Sequence, residues 1–133
     1  MPSKTSPGGS MFPYYYKNGE LFGLHMGSFG ADEAGAIARL KAEEVFFIEQ
    51  HKRMGFWIDF YQTKLTDKLL DQLIELLAHA GSLISKLGLV GCSSIDRWRI
   101  NRRIKKAGGL STLPVKYFDD PEEAKTWLVS ERG

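Results

Sequence analysis

Three strand–helix units in a row occupy the second half of the chain, and no other feature restricts the fold as much. Residues 56–61 read as a strand leading to a helix that starts near Thr66. Residues 87–91 lead to a helix near Ser93, and residues 115–118 to one near Pro121. Repeated units of this kind predict parallel strands joined by crossover helices, that is, an α/β domain. In such sheets the working surface lies beyond the carboxyl ends of the strands, so those ends are where function is sought.

The boundaries of each unit have local causes. The run Phe56-Trp57-Ile58-Asp59-Phe60-Tyr61 is apolar with one acid, as expected of a strand buried on both faces. Thr66 or Asp67 caps a helix with Leu69, Leu70, Leu73, Ile74 and Leu77 on one face. Gly108-Gly109 ends the next helix, and Asp120-Pro121-Glu122-Glu123 starts the last.

Ahead of these units, Asn18-Gly19 sits between two β-favouring runs, a strong hairpin signal. Strands are predicted over residues 13–17 and 20–27. Asp32 then caps a helix over residues 33–51, with Ala34, Ile37, Ala38, Val45 and Ile48 as its apolar stripe. Gly55 ends that segment. Residues 1–10 are rich in Ser, Pro and Gly and are predicted to bury nothing, as a disordered tail before a single domain over 11–133, with Met11 an alternative start.

The order hairpin–helix–strand–helix–strand–helix–strand–helix over residues 13–131 is carried by three segments. They are Gly55-Phe56-Trp57-Ile58-Asp59-Phe60, then Lys86-Leu87-Gly88-Leu89-Val90-Gly91 before a basic helix, and the stretch from Val115 through Asp120-Pro121-Glu122-Glu123 to Trp127-Leu128. This arrangement resembles the STAS domain family, which includes anti-sigma-factor antagonists and SpoIIAA-like proteins. The resemblance implies a right-handed β/α superhelix with a mixed, mostly parallel five-stranded sheet and about four helices. It also implies a non-enzymatic regulatory or protein-interaction module. In the antagonists a serine in an Asp-Ser-Ser-Gly-like stretch is phosphorylated at the start of the helix after the central strand. The corresponding stretch here is Gln62-Thr63-Lys64-Leu65-Thr66-Asp67, without that signature, and Thr66 is the position carried over as phosphoacceptor.

Read from the residues alone, Thr66 is a helix cap, or a phosphoacceptor whose charge would sit at the positive end of a helix. Gly91-Cys92-Ser93-Ser94 joins a strand end to a helix start and is either a capped turn or an anion-binding concavity, with Cys92 a buried thiol. Asp59 and Thr63 belong to the same strand-end region, Asp59 as a structural hydrogen-bond acceptor or as an acid in a site.

The helix over 94–107 has two unlike sides. Ile100, Ile104 and Ala107 fall on one arc and are expected to face the sheet. Trp98, Arg99, Arg102, Lys105 and Lys106 fall on the other, with Ile95 and Arg103 nearby. A tryptophan among cations suits a protein partner, an anionic small ligand or a membrane surface; the plainer reading is a solvated face.

Composition closes other routes. A net charge of +2 gives no reason to expect nucleic acid, and one cysteine permits no internal disulfide, which suits the cytoplasm. His25, His51 and His79 stand on different elements, so no metal site or cofactor is expected. The aromatics Tyr14, Tyr15, Tyr16, Phe22 and Phe29 fill the core, or line a pocket or a homodimer contact. An alternative function is that of a small-molecule or lipid-anion carrier, since lipid-binding proteins share this superhelical fold. That reading needs an apolar cavity between sheet and helices.

Overall fold

A computed structural model describes residues 4–12, 14–17, 19–26, 29–110 and 112–130. The fold is α/β, with a five-stranded sheet in sequential order. Its strands are β3 (Tyr14–Tyr16), β4 (Gly19–His25), β5 (Met54–Asp59), β6 (Ile84–Val90) and β7 (Val115–Phe118). β3 pairs antiparallel with β4, and every later neighbour is parallel. A separate two-stranded hairpin, β1 (Lys4–Thr5) and β2 (Met11–Phe12), precedes the sheet. Four helices complete the chain: α1 (Glu33–Glu49), α2 (Asp67–Ala80), α3 (Ser94–Ala107) and α4 (Pro121–Val129).

The predicted caps form. Asp32 accepts from the Gly35 amide, Thr66 from Leu69, Ser93 from Asp96 and Asp120 from Glu122. Each satisfies one of the donors a helix start leaves unpaired. Gly108 ends α3 with φ 76°, a conformation that favours glycine.

Strand alternation sorts the core into two layers. Phe22, Leu24, Phe56, Ile58, Leu87 and Leu89 face α1, α2 and α3, while Leu21, Trp57 and Val90 face α4. On the first side Phe22, Phe47 and Phe56 meet with ring centroids 4.8–5.2 Å apart. On the second, α4 lies close because Gly55 and Gly88 have no side chain. A Cβ on Gly55 would stand 3.2 Å from the Leu128 Cβ, and one on Gly88 3.5 Å from the Ala124 Cβ.

Several expectations are corrected. Residues 4–10 do not form the expected tail. Ser6 and Ser10 are buried, and the reason lies in α1: Glu43 is fully buried and needs donors. The Ser6 hydroxyl donates to its Oε1 at 2.9 Å, and the Gly8 amide donates to the same oxygen. Residues 1–3 lie outside the described residues. The α1 stripe is Ala36, Leu40, Glu43 and Phe47, with Ala34, Ala38 and Val45 exposed. A hydrophobicity reading misses it because the stripe passes through a glutamate.

The β3–β4 turn also sits one residue earlier than expected. Gly19 pairs with Tyr16 inside the ladder, and Lys17 takes the positive φ of 46°. Asn18 and the outer bounds of the two predicted strands, residues 13 and 27, lie outside the described residues. Gly55 belongs to β5 and does not end the helical segment; His51, at φ 53°, turns the chain there. Phe60 and Tyr61 lie beyond β5, and Ala107 is exposed.

Candidate functional site

Parallel register brings the strand tips together. His25, Asp59, Val90 and Phe118 are successive partners across β4 to β7, so the loops after them share one rim. Backbone bonds knit that rim: Met26 N–H to Asp59 O at 3.1 Å, Phe60 to Val90 at 3.0 Å and Gly91 to Phe118 at 3.2 Å. Buried Met26, Phe60, Leu65 and Cys92 seal it from below. Burial pushes the Cys92 thiol up to about 12, with Asp96 adding to the shift, so it carries no thiolate at neutral pH.

The rim residues named from the sequence have structural partners. Asp59 Oδ1 accepts from the Tyr61 amide at 3.0 Å, closing a local turn. The Thr63 hydroxyl lies 3.4 Å from the Phe29 amide, beside a parallel bridge between Gly30 and Thr63. Thr66 and Ser93 serve as caps, and Ser94 is the exposed first residue of α3. These residues share the rim but not one cavity, for Thr63 joins the β4–α1 connection while Ser93 and Ser94 lie past β6.

The concave feature near them lies between α2 and α3. A groove of about 510 Å³ is lined by Asp67, Asp71, Ile95, Trp98, Arg102 and Lys106, among others. Its floor is a charge lattice. Arg99 donates to Asp67 at 2.7 Å, to Asp96 at 3.2 Å and to the Leu65 carbonyl at 2.7 Å. Arg103 donates to Asp71 at 3.2 Å and to Asp67 at 3.0 Å. Hydrogen bonds from Arg99, then Arg103, hold the Asp67 carboxyl below its usual range.

This corrects the reading of Arg99 as an outward interaction residue: it turns toward α2 and ties the helices together. The signal was present as matching spacings, Asp67/Asp71 on one helix and Arg99/Arg103 on the next, each four residues apart. The pairing depends on which helices are neighbours, and spacing along the chain gives Asp67 only as an alternative cap of α2.

The rest of the α3 surface is open. Ile95 is 71% exposed and Trp98 60%, and the Arg102 guanidinium lies over the Trp98 ring at 5.4 Å. Arg102, Lys105 and Lys106 form no ion pair among the described residues. Charge on this helix is thus divided into a neutralised inner row and an uncompensated outer one.

Two further observations bear on chemistry. Among the described residues no group of three or more His, Cys, Asp and Glu is placed to hold a metal ion, and no helix is long and apolar enough to cross a membrane. The space between the sheet and α1–α3, where a carrier's cavity is expected, is occupied by Phe22, Phe47, Phe56, Leu69, Leu73 and their neighbours.

No protein-family model matches the chain, and no curated protein matches it. The reading of its function therefore rests on its α/β fold and on the divided face of α3.

Proposed function

We propose that this chain is a non-enzymatic interaction module of the STAS, SpoIIAA-like kind, acting in the bacterial cytoplasm. Its binding surface is the groove between α2 and α3 together with the outer row of α3. One observation carries the reading: Ile95 and Trp98 stand exposed three residues apart, beside Arg102, Lys105 and Lys106, which form no ion pair among the described residues. An exposed tryptophan grouped with an arginine matches the make-up of interface hot spots. The Arg99 and Arg103 bridges fix the two helices, so the surface is preorganised.

The partner this surface suits is an acidic protein segment with an apolar residue to place on Trp98. Uncompensated cations would steer its approach, and binding would weaken with salt. Phosphorylation of Thr66 is not required by this reading.

The test is affinity capture from a bacterial lysate with the wild-type protein, Trp98→Ala and Arg102→Glu, followed by identification of what each retains. A partner held by the wild type and lost from both variants supports the surface. Identical captures from all three discard it.

A further inference from the structure

The opposite side of the sheet carries a second, smaller concavity that the interaction surface does not use. It has a volume of about 220 Å³ and lies where the N-terminal hairpin, the sheet and α4 meet. Ser10, Tyr14, Gly23, His25, Trp57 and Lys125 are in its wall. At about 30 Å³ per liquid water it corresponds to roughly seven waters, the bulk of a single-ring acid.

The wall is one-sided in its chemistry. Among the described residues Lys125 is its one full charge, and no Asp or Glu lines it. The lysine ammonium lies 5.3 Å from the Trp57 ring, 5.5 Å from Tyr14 and 5.7 Å from Tyr16. Burial opposes that charge, but the Tyr14 hydroxyl and Glu122 outweigh it and raise the lysine's pKa, so it stays protonated. Glu122, the carboxylate paired with Lys125 among the described residues, is an exposed residue at 3.4 Å.

Burial lowers the pKa of His25, partly offset by the charge of Asp59, so the imidazole is neutral at pH 7. It meets Trp57 edge to face at 4.8 Å.

An unmet hydrogen bond stands in the same wall. Trp57 is 4% exposed, and its indole Nε1 is buried with no hydrogen-bond partner among the described residues. That nitrogen lies 2.9 Å from where a Cβ on Gly23 would stand, so glycine at 23 leaves the room the indole occupies. A buried N–H without an acceptor is costly, and indole can only donate. The Ser10 hydroxyl donates to the Gly23 carbonyl and forms no hydrogen bond with the indole among the described residues.

From this juxtaposition of a caged ammonium, an orphan indole N–H and aromatic walls, we infer that the cavity binds a small aromatic carboxylate. The carboxylate takes Lys125 as its counter-charge and the Trp57 N–H as a donor, and its ring packs against Tyr14. This site is independent of the α2–α3 groove, and either assignment can fail without the other.

The test is titration of ¹⁵N-labelled full-length protein, following the indole N–H signals. Trp57→Phe assigns the Trp57 signal. Benzoate is the probe, benzyl alcohol supplies the same ring without charge, and acetate supplies the charge without the ring. The expected result is a saturating shift of the Trp57 indole with benzoate, at least about tenfold weaker binding of the other two, and an unmoved Trp98 signal. Lys125→Gln is expected to lower benzoate affinity by a similar factor. No saturation by about 10 mM, equal binding of benzyl alcohol, or a response at Trp98 in place of Trp57 would each overturn the assignment. If Lys125→Gln does not fold, the three-probe comparison on the wild type decides alone.

Discussion

The two faces of the sheet are covered very differently. Three helices seal one face over a continuous layer of phenylalanines and leucines, whereas one nine-residue helix covers the other. On the sealed face the apolar side chains meet one another. On the α4 face, glycines in β4, β5 and β6 leave space, and a tryptophan, a histidine, a tyrosine and a lysine gather at the border. Polar chemistry survives where coverage is thin, because a thinly covered layer cannot exclude every donor from reach of a ligand. The layer that the three helices seal is therefore the one whose packing holds the protein together.

The largest effect belongs to the sealed face. Phe56→Ala removes a fully buried ring between Phe22 and Phe47 and is expected to cost about 3–5 kcal/mol in urea unfolding. Leu128→Ala, in the smaller cluster, is expected to cost about 2 kcal/mol. An equal loss at both positions would erase the contrast.

Gly23→Ala comes next. Its Cβ would lie 2.7 Å from two atoms of the Trp57 indole, so the ring must move, at about 1–3 kcal/mol. Combining it with Trp57→Leu should recover part of that loss, because the two residues share one contact. Strict additivity in the double-mutant cycle would mean that the indole does not set the requirement for glycine.

Glu43 sharpens the comparison through pH. Burial raises its pKa above the ordinary 4.5, against the opposing hydrogen bonds from Ser6 and Gly8. The folded protein thus keeps this proton after the unfolded chain has released it. The stabilising contribution is full below pH 4.5 and is lost as pH rises through the higher folded value. Subtracting the profile of Glu43→Gln from that of the wild type should leave this falling slope; a flat difference would remove Glu43 as its source.

The smallest effect is expected at Asp67. Its carboxylate is exposed, so Asp67→Asn should cause a slight loss of stability that disappears in about 1 M salt. Because Arg99 and Arg103 hold this carboxyl below its usual range, the contribution is present above the ordinary value of 3.8 and fades as pH falls through the folded one. A loss that persists in salt would place the residue in the packing of the groove.

Much of the architecture could be read before any coordinates, and the reasons are local. The caps at Asp32, Thr66, Ser93 and Asp120 need only their own helix, β7 spans the predicted residues 115–118, and α4 begins at the predicted Pro121. The open face of α3 was legible as well, because Trp98 and Arg102 are neighbours by helical spacing alone. The Arg99–Asp67 pair is not legible in the sequence, where Arg99 reads as outward and Asp67 as an alternative cap, because the contact joins residues 32 apart. Glu43 was left out of the α1 stripe because a charge is assigned to solvent unless its donors are known, and those donors lie in a Ser- and Gly-rich segment that looks structureless by itself.

By itself, then, the chain determined its four helices and the mostly parallel order of its five-stranded sheet, though not the β1–β2 hairpin, because strand alternation, helix caps and crossover length act over a few residues each. Tertiary structure alone decided that α4 crosses to the other side of the sheet, that α2 and α3 cancel each other's inner charges, and that an indole N–H is buried above Gly23 with no partner among the described residues. Each of those depends on which surfaces meet, and contact between distant segments is not encoded in any single stretch of residues.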